Sequence, residues 1–385
     1  MDVKSKSVKG LYIAFEFEPN NTIPISEETN GIVKKIRKQI ESFENKKFSI
    51  DFWNPYSGRK HSLRRIMRRL PFYFLNSWKF DYSKASEYSF IYIRKAWFMD
   101  GDLIRFLKKF KNYSSHTKIL LEIPTYPYDN EGKHLNILPL IIKDKIWRRK
   151  LHHYVDRIIT YSNDEVIFDV ETIQASNAID LSEISPRNFT EIKNKNVINL
   201  IACSSLYYWH GYDRVIKGLN TYYTNKKNHD PIVRFHIVGE GEEAEKYREM
   251  ISTFNLSDYV YMYGKLSGRA LDEVYDISDI GLDSMGRHRS GVYYNSSLKG
   301  KEYCAKGLPI VSGVSTDLDG DTEYSYYLRV PAEDKEVDIY DIINFYNAIY
   351  KEKDPKVISV NIRDYAKQRF DFPVAMREII EFITT

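Results

Sequence analysis

Short apolar runs alternate along this chain with stretches of helical spacing. Residues 10–17 (GLYIAFEF), 49–53, 89–94 (SFIYIR) and 117–123 (TKILLEI) read as strands, with helices expected over 32–43 and 102–111 between them. Residues 157–161 (RIITY) add a further strand, after a helix leading through His152. A polar, strand-free stretch, PRNFTEIKNKN at 186–196, is where a linker is expected. The alternation then restarts: strands at 197–203, 231–238, 260–263, 280–282 and 309–312, with a helix from Arg214 and another near Glu242. The tail, 361–385, is helical on both sides of a break at Pro373. Strand, loop, helix, strand repeated through both halves predicts an α/β chain of two doubly wound domains, 1–190 and 197–370. Residues 371–385 are expected to cross back onto the first.

The segment 287–313 (RHRSGVYYNSSLKGKEYCAKGLPIVSG) is organised around a short helix expected at 298–306. Ser296 and Ser297 suit its N-cap, Gly307 suits a left-handed stop, and Pro309 cannot continue the turn. Lys299 and Lys301 sit where the positive end of the helix dipole disfavours cations by a few tenths to about 1 kcal/mol. An anion bound at that helix start would reverse the sign. Lys299 with free N–H groups is therefore a phosphate-site candidate, and Glu302 a candidate acceptor for a sugar hydroxyl. The alternative is a surface helix with solvated lysines. The 231–238 strand ends in Gly239-Glu240-Gly241, a context in which backbone can approach a diphosphate or base.

In the first half, ligands are expected beyond the carboxyl ends of the strands, which places Asn30 and Gly31 on that side. The 117–123 strand runs into PTYPYDNEG, an irregular loop that offers Tyr126, Tyr128 and Asp129 as acceptor-side candidates. Residues 59–69 pair basic side chains, among them Arg64, Arg65, Arg68 and Arg69, with apolar ones at helical spacing, and an aromatic run through Trp78 follows. A basic amphipathic helix with interfacial aromatics suits an anionic membrane surface; its alternatives are RNA or partner binding, or an ordinary solvated face.

Length adds that 385 residues exceed the span at which one core stops growing. With 57 basic and 53 acidic side chains, the net charge of +4 does not by itself mark a nucleic-acid binder. Only Cys203 and Cys304 occur, with no zinc or disulfide spacing, so a reducing cytosol is the expected setting. The opening MDVKSKSVKG lacks the apolar stretch of a signal peptide, and no run is long enough to span a bilayer.

These residues carry a family likeness. The second half resembles the donor domain of retaining GT-B glycosyltransferases of the family 4 type. The shared features are a loop ending His210-Gly211, a strand ending G-x-G, the pair Asp279-Ile280, and Glu302 seven residues before Pro309. WHGYDR, SSLKGKEYCAKGLP and EIPTYPYD resemble the branch that builds bacterial capsular, exopolysaccharide or cell-wall glycans. The resemblance implies two Rossmann-like domains facing a central cleft. It implies hexosyl transfer from a UDP- or GDP-linked sugar, with retention and without metal or other cofactor, to a glycan acceptor on a polyprenyl diphosphate. It also implies a peripheral enzyme at the cytoplasmic membrane face that binds no nucleic acid. Retention is taken to proceed by front-face attack, the leaving phosphate accepting the acceptor's proton.

Three departures stand out. Tyr294 occupies the place of the first of the family's paired glutamates; Ser205 and His210 stand where Arg and Lys usually hold the diphosphate; and the usual first-domain His is missing near 124–126. Lys299, Arg289 and His210 are then the candidates for catalytic positive charge, with Glu302, Ser296, Ser297, Ser205, Gly239, Glu240 and Gly241 around the donor. Competing readings are a nucleotide-sugar epimerase of the same architecture and a non-enzymatic nucleic-acid-binding or scaffold protein.

Overall fold

The computed structural model describes residues 8–15, 31–56, 78–95, 98–129, 138–188, 196–351 and 353–385. The chain divides into two compact units, Met1–Ala175 with Phe372–Thr385, and Ser176–Asp371. Each is built on a mainly parallel sheet.

In the first unit, β1 (Lys9–Ile13), α1 (Gly31–Glu44), β2 (Ser49–Trp53), β3 (Phe90–Arg94), α2 (Gly101–Tyr113), β4 (Lys118–Ile123), α3 (Leu138–Arg148) and β5 (Arg157–Thr160) alternate. An antiparallel pair, β6 (Val166–Ile167) and β7 (Val170–Gln174), closes the order β2-β1-β3-β4-β5-β7-β6. β3 is buried along its whole length because helices cover both faces, which is why such strands read as continuous apolar runs. Arg94 and Glu122 break that rule, and they do so together. Glu122 is fully buried and accepts from Arg94 Nη1 at 2.5 Å, Tyr92 Oη at 2.7 Å and Gln39 Nε2 at 3.0 Å, with Lys35 Nζ at 3.4 Å. Burial alone would raise the Glu122 pKa, but Arg94 and Lys35 outweigh it and hold it near about 2. Burial lowers the Lys35 pKa to about 8, against the pull of Glu122.

The second unit carries β8 (Val197–Cys203), α4 (Asp213–Asn225), β9 (Ile232–Val238), α5 (Ala244–Thr253), β10 (Val260–Met262), α6 (Gly268–Ile277), β11 (Ile280–Leu282), α7 (Leu298–Lys306), β12 (Ile310–Ser312) and β13 (Tyr327–Arg329). Two long helices follow, α8 (Ile339–Tyr350) and α9 (Pro355–Arg369). The sheet order is β10-β9-β8-β11-β12-β13, with every pairing parallel. Relative to the start of this unit the order is 3-2-1-4-5-6, so its winding reverses between β8 and β11. The carboxyl ends of those two strands mark the place where such sheets bind ligands.

Two expectations change here. The boundary falls after Ala175, not in the 186–196 stretch. Asn177 N donates to Ser296 Oγ at 2.9 Å, Ile179 bridges to Asp371, and Ile179 and Leu181 are buried in the second core. Polar composition marked a loop there, but the apolar pair ahead of it already belongs to the second unit. Trp78 does not serve a membrane surface: only 8% exposed, it packs 5.2 Å from Phe106 and 5.5 Å from Phe15, ring centre to ring centre. Its ring completes an aromatic core layer. Arg64, Arg65, Arg68, Arg69 and Asn30 lie outside the described residues.

The last helices, α10 (Phe372–Ala375) and α11 (Arg377–Thr384), belong to the first unit. Lys118 Nζ donates to Phe382 O at 2.7 Å and the Arg157 guanidinium lies 5.0 Å from the Phe382 ring centre. The tail is thus pinned at the amino ends of β4 and β5.

Candidate active site

At the carboxyl ends of β8, β9 and β11, three loops approach each other through backbone contacts that leave no room for side chains. Gly239 sits at φ +136°, and a Cβ there would stand 1.8 Å from Ser204 O. Gly211 sits at φ +66°, and its Cβ would stand 2.5 Å from Gly286 N. Only glycine tolerates both the angle and the proximity. Met285 N donates to His210 O at 2.7 Å and Leu206 N to Glu240 O at 3.0 Å, which locks the loops in register.

α7 starts beside this junction. Ser297 is its N-cap, but its hydroxyl donates to Asp283 Oδ1 at 2.8 Å and makes no cap bond. Among the described residues, the first-turn N–H groups therefore have no side-chain cap. Lys299 Nζ lies 3.5 Å from Asp283 Oδ1 and its side chain is 19% exposed. Glu302 is exposed on the same helix. Both act electrostatically on Cys203 at the end of β8, whose thiol burial pushes up to about 11. Lys299, Glu302, Cys203 and the His210 loop thus share one locality.

Other sequence candidates take different roles. His210 supplies no positive charge: burial, then Lys299 and Arg287, hold its pKa down to about 2. Arg289 is a strut. Its guanidinium donates to both carboxylate oxygens of Asp213 at 2.8 and 3.1 Å, to Asp334 at 2.6 Å and to Tyr208 O at 3.0 Å. The cation of that loop that acts on the His210 ring is Arg287. Ser296 is 1% exposed; its hydroxyl donates to Asp317 at 2.9 Å and accepts from Asn177 N, so it braces the loop. Lys301 is buried against Asp317 and lies 3.6 Å from the Phe370 ring centre. Ser205 is exposed beside the junction, Gly241 is exposed, and Glu240 pairs with Arg248 at 2.8 Å.

In the first unit, Tyr126 packs against Phe168, and Tyr128 Oη donates to Asp144 at 2.7 Å. Asp129 is bridged by Arg148 at 2.6 and 3.0 Å. Arg148 holds the Asp129 carboxyl below its usual pKa. Tyr128 and Asp129 bind α3 rather than stand free for an acceptor, while Tyr126 is part-buried against Phe168. Gly31 opens α1, and among the described residues nothing lies near the place of a Cβ, so none of them demands glycine there by close approach.

Residues 186–284 match the family model described as glycosyl transferases group 1. No curated protein sequence matches the chain. Among solved structures, a glycosyltransferase from Rickettsia africae ESF-5 aligns with a TM-score of 0.57 at 10% identity, over 98% of both chains. Sucrose-phosphate synthase from Thermosynechococcus elongatus aligns at 0.63 and 12% identity, over 97% of this chain and 98% of that one. Anabaena HepE in complex with UDP aligns at 0.56 and 13% identity, over 98% and 100%. The fold is that of the GT-B glycosyltransferases. The matched segment and the GT-B fold together support a glycosyltransferase enzyme.

Two residues of this candidate site escaped the sequence reading. Asp283, 1% exposed, ties Ser297 and Lys299 to the end of β11, and its Oδ2 has no hydrogen-bond partner among the described residues. The signal was a carboxylate directly after an apolar strand. Gly286 permits the approach of Gly211, and a glycine after the same strand was its signal.

The neutral histidines have a measurable consequence. His210 and His236 are held down by burial to about 2 and about 4, against an ordinary 6.5. The unfolded chain therefore binds more protons than the folded one below about 6.5, and stability rises with pH across that window. Melting temperature should climb between about pH 4 and 6.5, with a shallower slope in His210→Gln/His236→Gln. An unchanged slope in the double variant would show that these rings are not the buried neutral groups.

Proposed function

We propose that the protein moves a hexosyl unit from a UDP- or GDP-linked sugar to a glycan acceptor, with retention, in the synthesis of a bacterial surface polysaccharide. The observation that carries this reading is Lys299 beside an uncapped helix start at the winding reversal of the second sheet. A departing nucleoside diphosphate gathers negative charge, and preorganised N–H groups with a fixed ammonium stabilise it without reorganisation. The bond from C1 to the diphosphate breaks, a bond from C1 to the acceptor oxygen forms, and the acceptor's proton passes to the leaving phosphate. Lys299 and the α7 N–H groups would hold the diphosphate. Glu302 would accept from ribose hydroxyls, and Gly239 and Gly241 would lie near the base. Anabaena HepE, similar in fold, binds UDP in its complex, which favours a uridine donor here.

The acceptor side is proposed for the first unit, with a lipid-linked acceptor at the cytoplasmic membrane face. Among the described residues no helix is long and apolar enough to cross a membrane, so attachment there would be peripheral.

The test is transfer itself. Purified protein given UDP- or GDP-hexoses and a polyprenyl-diphosphate glycan should form a product whose new linkage keeps the donor's anomeric configuration by NMR, at an unchanged rate in excess chelator. An inverted linkage, an epimerised donor formed without acceptor, or activity lost to chelator and restored by magnesium would each contradict the proposal.

A further inference from the structure

Helix α3 (Leu138–Arg148) exposes what a buried helix should hide. Leu138 is 49% exposed, Ile142 47% and Ile146 36%, at i, i+4 and i+8. At 100° per residue these three and Lys145 fall within an arc of about 100°. The opposite face is covered: Lys143 and Asp144 are buried. Arg149 and Lys150, in the turn that follows, are exposed. Asp144, the one acid between Leu138 and Lys150, is 1% exposed and is bound by Tyr128 Oη, Met99 N and Arg148. Lys145, with a half-exposed side chain, lies 3.5 Å from Asp129. The outward face is therefore apolar and bordered by the cations of the following turn; the helix carries no exposed acid, and the part-exposed Asp129 beside it is matched by Arg148 and Lys145.

We infer that α3 is the face on which the first unit docks to an anionic lipid bilayer. An interfacial helix sinks its apolar stripe to the headgroup boundary while neighbouring lysine and arginine meet anionic lipid. A protein partner reading an apolar stripe would not need the exposed acids to be missing; an anionic bilayer does. The inference deepens the transferase reading by naming the surface that meets the lipid. It also gives a role to the two side chains that proved not to be free. Tyr128 through Asp144, and Asp129 through Arg148, clamp the loop after β4 onto α3. That loop lies at the carboxyl end of the first sheet, so a bilayer against α3 sets a lipid-borne acceptor beside it.

The full-length protein is sedimented with phosphatidylcholine vesicles, with and without about 30 mol% phosphatidylglycerol, at about 0.1 M salt. Wild type should partition onto the anionic vesicles, and Ile142→Glu/Ile146→Glu should bind them at least about tenfold more weakly. Arg149→Glu/Lys150→Glu should lose the preference for anionic over neutral vesicles. Calorimetric nucleotide binding should be unchanged in every variant, so a failed vesicle test and a failed donor site are told apart. Wild type left in the supernatant would overturn the inference. So would an isoleucine double variant that binds as well as wild type, or one whose effect is to dissociate a dimer in sedimentation velocity.

Discussion

Replacing Lys299 with Ala should lower kcat/KM for transfer by about 10²-fold or more, the scale expected for losing one preorganised charge at a developing anion. Lys299 is the cation that the α7 first turn presents beside the strand ends, since Arg289 is spent on Asp213 and Asp334 and His210 is neutral. Glu302→Ala should cost a similar factor, and because Glu302 is exposed that variant keeps the fold intact. Wild-type turnover in both variants would remove α7 from the donor site.

The largest effect on stability is expected at Glu122. Glu122→Ala leaves Arg94 buried without its carboxylate, a loss on the order of 3–5 kcal/mol. Against a typical total of about 5–15 kcal/mol this is a large share, and the melting temperature should fall on the order of 10 °C. Lys35, its pKa already lowered to about 8, should lose its proton more readily once the carboxylate is gone. Removing both charges, as Glu122→Met/Arg94→Met, should recover much of the loss, because the buried guanidinium is no longer left unpaired and Lys35, the cation that remains, can shed its proton. Equal melting temperatures for Glu122→Ala and wild type would show that the network adds nothing to the fold.

The sheets were legible because helices on both faces make their strands apolar throughout, a pattern that local sequence carries. So was α7, whose limits are set by local features: a serine ahead of it and Gly307 at φ +75° behind. Long-range pairing was not legible. Arg94 and Glu122 each look like a polar strand end, and nothing local shows that neighbouring strands bring them to 2.5 Å. Arg287 and Arg289 are two residues apart in one turn, and it is the long-range position of Asp213 that makes Arg289 its partner. Trp78 follows a basic run, as interfacial aromatics do, but Phe106 of α2 and Phe15 claim its ring for the core. The docking stripe on α3 was equally hidden, because apolar residues at helical spacing read as core until exposure is known.

A nucleoside-diphosphate site on the second unit can be measured by titration calorimetry of uridine and guanosine diphosphate into wild type and Lys299→Ala. One of the two nucleotides should bind wild type saturably at one site. At about 100 times its Kd it should add about 2.7 kcal/mol to unfolding stability, and Lys299→Ala should bind it far more weakly. No binding of either nucleotide, or equal affinity in the variant, would contradict it.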